Sequence, residues 1–182
     1  MLKQTPSQTV GPYFAYAWTP ETYGRRPLAT NDLTRNGTTG EHIRLEGVVY
    51  DGEGAIVRDC VVEIWQADAA GKHQPGTAGF GRCATNDSGE YHFHTVKPGA
   101  LGDGQAPHIA VTVFARGMLS HAFTRVHFSD EESANAADPV LATVPEERRA
   151  TLIATRAAGS FGTVYRFDIR IQGENETVFF DC

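Results

Sequence analysis

No stretch of this sequence approaches the roughly 20 consecutive apolar residues that a membrane-spanning helix requires, which excludes a helical membrane protein. Positive charge is sparse and scattered: 16 Lys and Arg stand against 22 Asp and Glu, the formal net charge is -6, and no basic block offers a footprint for nucleic acid. Cysteine is scarce as well. Cys60, Cys83 and Cys182 have neither metal-site nor redox-motif spacing, and an odd count argues against a disulfide framework. They read as small apolar side chains or free thiols. The opening Met1-Leu2-Lys3-Gln4-Thr5-Pro6 has no apolar core of a signal peptide, so a cytoplasmic location is expected. A nucleophile elbow, a phosphate loop and an H-E-x-x-H zinc motif are all missing, which removes the common hydrolase, nucleotide-binding and zincin readings.

What is present is a β pattern behind a polar, aromatic-rich leader. Residues 1–40 are rich in Thr, Gly, Pro and Asn and carry Tyr13, Phe14, Tyr16, Trp18 and Tyr23. This is expected to be an irregular arm whose aromatics pack on the domain or on a partner chain. From residue 41 the pattern changes to a domain running to residue 182. His42 to Tyr50 alternates apolar and polar residues, the signature of a half-buried strand. Further strands are expected at Val61–Ala67, Gly81–Thr85, Tyr91–Val96, His108–Ala115 and Ala122–Phe128, with a last pair at Tyr165–Ile171 and Thr177–Phe180. Turn signals such as Asp51-Gly52-Glu53-Gly54 and Asn86-Asp87-Ser88-Gly89 separate them. Only Asp130–Ala137 and Pro145–Thr155 suit helices, the second opening on Pro145 followed by Glu146 and Glu147 at the positive end of a helix dipole. The length and pattern predict one all-β domain, a β-sandwich with one or two short helices.

The histidines are the first candidates for chemistry. His92-Phe93-His94 places two imidazoles on the same face of one strand, which could hold a metal or could simply flank a buried Phe93. His108, His121 and His127 border apolar strands, where a hydrogen-bonded structural histidine is the commoner outcome. On the residues alone the reading stops at a β-sandwich with no self-contained active site.

Larger blocks carry it further. Thr5-Pro6-Ser7-Gln8-Thr9-Val10-Gly11-Pro12-Tyr13 resembles the N-terminal signature of intradiol ring-cleavage dioxygenases. Val49-Tyr50-Asp51-Gly52, Glu63-Ile64-Trp65-Gln66-Ala67-Asp68, Arg82-Cys83-Ala84-Thr85, Gly89-Glu90-Tyr91, Thr95-Val96-Lys97-Pro98-Gly99, Ala106-Pro107-His108-Ile109 and Tyr165-Arg166-Phe167-Asp168-Ile169 follow in that family's order along nearly the whole chain. The resemblance implies cleavage of a catechol by O2 at a ferric ion held by two tyrosinates and two histidines. Within the family it points to the iron-free α-type chain of a hetero-oligomer that converts protocatechuate to 3-carboxy-cis,cis-muconate in aromatic catabolism, the β-ketoadipate route.

At the positions that match the family's ligands this chain carries His73, Leu101, His108 and Ala110. Leu and Ala have no donor atom, so one ligand of four survives in kind. The resemblance therefore implies no metal ligand and no catalytic residue in this chain. Fe(III) would be held by a homologous iron-bearing β-type partner, with protocatechuate and O2 as substrates. Thr9, Gly11, Pro12 and Tyr13 would line the shared pocket, and Arg116 would meet the substrate carboxylate. Two other readings stay open at this point. One is a homomeric dioxygenase recruiting metal through His73, His92, His94 and His108. The other is a non-catalytic β-sandwich binding module that keeps an aromatic pocket.

Overall fold

The computed structural model describes residues 8–11, 13–76, 78–160 and 162–181. Among these residues nine strands form one continuous mixed sheet: β1 His42–Tyr50, β2 Val61–Gln66, β3 Phe80–Ala84, β4 Glu90–Val96, β5 His108–Phe114, β6 Ala122–Phe128, β7 Ile153–Gly159, β8 Gly162–Arg166 and β9 Ile169–Arg170. Their order is β3-β2-β5-β6-β7-β8-β1-β4, with β9 paired to β1. The pairings β1–β8, β1–β9 and β6–β7 are parallel and the rest antiparallel. The ribbon folds over itself, so inward residues of both halves share one apolar cluster. Leu45, Val62, Ile64, Phe93, Ile109 and Tyr165 are among its members. Alternation along β1 does what the sequence pattern requires, burying Ile43, Leu45 and Val49.

Two side-chain ties brace the fold, the first between the layers and the second within one of them. Gln66, at the end of β2, is 3% exposed. Its Nε2 donates to Val96 O at 2.8 Å and to Ala67 O at 3.1 Å, while its Oε1 accepts from Thr95 Oγ1 at 2.8 Å. A side chain of one layer is thereby bonded into β4 of the other. The second tie is Tyr91, whose hydroxyl donates to Phe167 O at 2.6 Å. Phe167 and Asp168 interrupt the strand between β8 and β9 and press on Gly47. A Cβ at Gly47 would lie 1.8 Å from Phe167 O, so only glycine fits there.

β3 and β4 are the two ends of the strand order, and residues 30–33 lie between them. Arg82 N donates to Thr30 O at 3.1 Å, His94 N to Asn31 O at 2.8 Å, and Leu33 N to His94 O at 2.8 Å. Leu33 enters the core, in space that exists because residue 81 is glycine: a Cβ there would meet Leu33 Cδ1 at 2.7 Å.

Three expectations need correction. The leader is not irregular throughout: α1 spans Phe14–Trp18, followed by single 3-10 turns at Pro20–Tyr23 and Thr34–Asn36. The predicted Pro145–Thr155 helix is cut short. Helix α2 (Glu132–Ala137) lies within its predicted span, but α3 covers only Glu146–Arg149, tightens into a 3-10 turn over Ala150–Leu152, and gives way to β7 at Ile153. Finally, Thr177–Phe180 is not a ladder strand. Thr177 N bonds Arg170 O at 3.0 Å and Phe180 forms an isolated bridge with Phe123.

Candidate functional site

The arm aromatics settle against the end of β5. The Trp18 ring meets Phe114 edge-on at 4.3 Å and Phe14 meets Trp18 at 5.2 Å. The Arg82 guanidinium lies 5.8 Å from the Trp18 ring. Thr19 N and Thr19 Oγ1 both donate to Ala15 O, closing α1, and Pro20 is buried behind it. Outside this packing, Tyr16 stacks on Tyr23 at 4.3 Å and Tyr13 on Tyr16 at 6.3 Å, giving a ladder of exposed rings.

A cavity of about 560 Å³ opens between the arm and the sheet, with Gly11, Phe14, Trp18, Asp59, Phe114 and Arg116 among its walls. A smaller one of about 290 Å³ adjoins it and takes in Thr9, Met118 and His121. Of the residues singled out from sequence, Gly11 and Arg116 thus share one cavity and Thr9 borders its neighbour. Tyr13 lines neither and is 82% exposed; Pro12 lies outside the described residues. Sequence reading missed Asp59. Its carboxylate accepts from Arg116 Nε, which leaves the outer nitrogens of the guanidinium without a partner among the described residues. Both partners are largely exposed, so the pair is a weak one that an incoming carboxylate can share.

The four ligand-equivalent positions converge on a different face. Strand register places Trp65, Ala110 and Arg125 side by side across β2, β5 and β6. His73 stacks on Trp65 with ring centroids 5.8 Å apart, and His108, two residues before Ala110, pairs with His127 at 5.7 Å. The Asp68 loop delivers His73. Asp68 Oδ1 accepts from Ala70 N and Lys72 N, and Gly71, at φ 73°, packs so closely on Ala100 that a Cβ would sit 2.0 Å from its carbonyl. Leu101 N donates to Gln105 O at 3.2 Å, and Arg125 Nη1 donates to Gln105 Oε1 at 2.5 Å. Alternation along β6 could have found Arg125, since residues 125 and 127 must share a face.

The chemistry of this face does not suit a ferric ion. Its donors are imidazoles, with no tyrosinate, and Leu101 and Ala110 contribute none. Burial holds His108 below its ordinary value, its Nδ1 bonds Ala106 O at 2.9 Å, and the Arg125 and His73 charges depress it further. Burial takes His127 down to about 4, with Asp138 opposing and the His108 and Arg125 charges adding to the fall; neither ring nitrogen has a hydrogen-bond partner among the described residues. Among the described residues, no group of three or more His, Cys, Asp and Glu is arranged to hold a metal.

His92 and His94 do share a face, but each is engaged. His92 Nε2 faces Asn31 Nδ2 at 3.1 Å, and His94 Nε2 accepts from Arg44 Nη1 at 3.2 Å, since a guanidinium can only donate. Burial, then the Arg44 charge, keeps His92 below its usual value. No described helix is long and apolar enough to cross a membrane.

Folds of this kind define a class. The dioxygenase domain of a dioxygenase–carbohydrate-binding fusion from Streptomyces sp. SirexAA-E superposes with a TM-score of 0.65 at 23% identity, covering 94% of this chain and 99% of that one. In sequence, a family described as Dioxygenase matches residues 10–173. The protocatechuate 3,4-dioxygenase alpha chain of Burkholderia cepacia is 51% identical, covering 99% of this chain and 98% of its own. The beta chain of the same name and organism is 34% identical over 85% of this chain and 77% of its own. The chain belongs to the intradiol dioxygenase family.

Proposed function

We propose that this chain is the iron-free α-type subunit of a protocatechuate 3,4-dioxygenase. With an iron-bearing β-type partner it cleaves protocatechuate with O2 between the hydroxyl-bearing carbons, giving 3-carboxy-cis,cis-muconate. The observation that carries this reading is the coincidence of near-full-length similarity to an alpha chain with a ligand-equivalent face on which Leu101 and Ala110 contribute no donor and no tyrosinate is present. The iron and its Lewis-acid activation of the diol belong to the partner.

This chain's contribution is shape and charge. Thr9 and Gly11 line the shared pocket, and the exposed ladder of Tyr13, Tyr16 and Tyr23 meets the partner chain. Arg116 offers its free guanidinium edge to the substrate carboxylate while Asp59 holds Nε. Co-purification tests the subunit assignment: iron and its red tyrosinate colour should travel with the complex, and this chain alone should be colourless. Stoichiometric iron in the isolated chain overturns it. For the site, Arg116→Ala should lower kcat/KM for protocatechuate roughly ten- to a hundredfold, the worth of a charged hydrogen bond, and spare catechol. Equal losses on both substrates would return Arg116 to an ordinary surface arginine.

A further inference from the structure

The face that holds the four ligand-equivalent positions is not merely short of donors; a cation already stands on it. Arg125 is directly opposite Ala110 on the neighbouring strand, and its side chain leaves the sheet on the side that carries His108 and His127. A guanidinium keeps its charge at every accessible pH. Among the described residues no carboxylate lies within ion-pairing distance of it, so that charge is not locally cancelled by a salt bridge. Its hydrogen bond goes instead to the neutral Gln105 Oε1. Gln105 is in turn fixed, its Nε2 donating to Asp103 Oδ2 at 2.6 Å and its carbonyl accepting from Leu101 N. The guanidinium therefore ties β6 to the 99–105 loop, the loop that carries one of the four positions.

We propose that Arg125 is the residue that bars metal from this chain, a fixed cation that occupies the emptied site and replaces by one hydrogen bond the bridging of strand and loop that a bound metal would provide. The inference rests on the reading of this chain as the iron-free subunit, and it goes further: restoring the ligands alone does not restore iron. A multivalent cation brought beside Ala110 meets the permanent positive charge of the facing residue, in a half-buried place where water screens poorly.

The test uses the assembled enzyme and counts iron by elemental analysis, with tyrosinate absorbance as the second readout. A His73→Tyr, Leu101→Tyr, Ala110→His variant supplies all four ligand types. With Arg125 intact it is expected to hold no more iron than the parent complex. Adding Arg125→Gln should admit a second equivalent per pair of chains, whereas Arg125→Lys, which keeps the charge, should not. Iron uptake by the first variant overturns the inference, as does failure of the Arg125→Gln variant to take any up. If the multiple variants do not assemble, Ala110→His with and without Arg125→Gln, titrated with Zn2+, decides it. Binding should be at least tenfold tighter without the arginine, and equal affinities refute the proposal. A parent complex in which this chain already carries iron refutes the underlying subunit reading instead, so the two failures are told apart.

Discussion

Gln66→Met should be among the costliest single substitutions in this chain that keep a side chain's shape. Methionine matches glutamine in length, so the packing loss is small. What changes is that three buried polar groups lose their partner: Val96 O, Ala67 O and the Thr95 hydroxyl. A buried group left unsatisfied costs about 1–3 kcal/mol, and at the lower half of that range three of them sum to roughly 3–6 kcal/mol. A domain of this size is stable by about 5–15 kcal/mol, and its melting temperature moves about 2–4 °C per kcal/mol, so a fall of roughly 6–24 °C is expected. The assay is thermal unfolding of variants compared in the same state of assembly. Thr95→Val supplies the control. On its own it deprives Gln66 Oε1 of a donor and should cost about 1 kcal/mol or more; in the Gln66→Met background it removes a hydroxyl that has no acceptor left, and should be neutral or stabilising. The cavity of about 440 Å³ beside this cluster provides the counter-argument, because water entering it could take over the lost bonds. A loss below about 1 kcal/mol, or strict additivity in the cycle, would show that water does so and that the cross-tie is not what joins the layers.

His127 should make the fold acid-sensitive. Its imidazole is ordinarily half-protonated at 6.5 but held down to about 4 in the folded chain, so between these values the unfolded chain binds the extra proton. Stability should be full above 6.5, fall as pH drops, and level off below about 4; melting curves of His127→Asn should show a shallower slope in that window, and an unchanged slope refutes the assignment. Gly47→Ala must push the Phe167 carbonyl away and with it the Tyr91 hydrogen bond, for a loss of about 2–4 kcal/mol in urea unfolding; a change under 0.5 kcal/mol would mean that the break between β8 and β9 gives freely. Deleting residues 1–12 should leave melting almost unchanged while lowering co-purification with the partner and turnover of protocatechuate, and unaltered turnover would make that segment a dispensable tail.

Strands whose apolar positions alternate were legible from sequence to within a residue, β1 and β6 above all, because burial of one face is written every second residue. β7 was not. Of its residues only Ala154 is buried, so Ile153–Gly159 has no period to read, and its strand form comes from β6 and β8 on either side. The preceding Pro145-Glu146-Glu147 signal was real but described a single turn, and apolar Leu152 and Ile153 made it look longer. The same division runs through the site. Missing donors at Leu101 and Ala110 are visible residue by residue, whereas the cation opposite Ala110 and the carboxylate beside Arg116 follow from strand register and loop placement, which no local pattern encodes.

The segment at residues 30–33 has a consequence for how this chain fails. Apart from the two-residue β9, every other strand of the ribbon has a neighbour on both sides, so β3 and β4 are where unpaired amides could recruit a foreign strand. Thr30, Asn31 and Leu33 occupy those amides and carbonyls with the chain's own backbone. That stretch is also the root of the aromatic arm. Pulling the arm away from its partner therefore loads the clasp over two open sheet edges, and the damage expected from losing the whole leader, as opposed to its first dozen residues, is not a weaker enzyme but a sticky one: misassembly and precipitation, growing steeply with concentration.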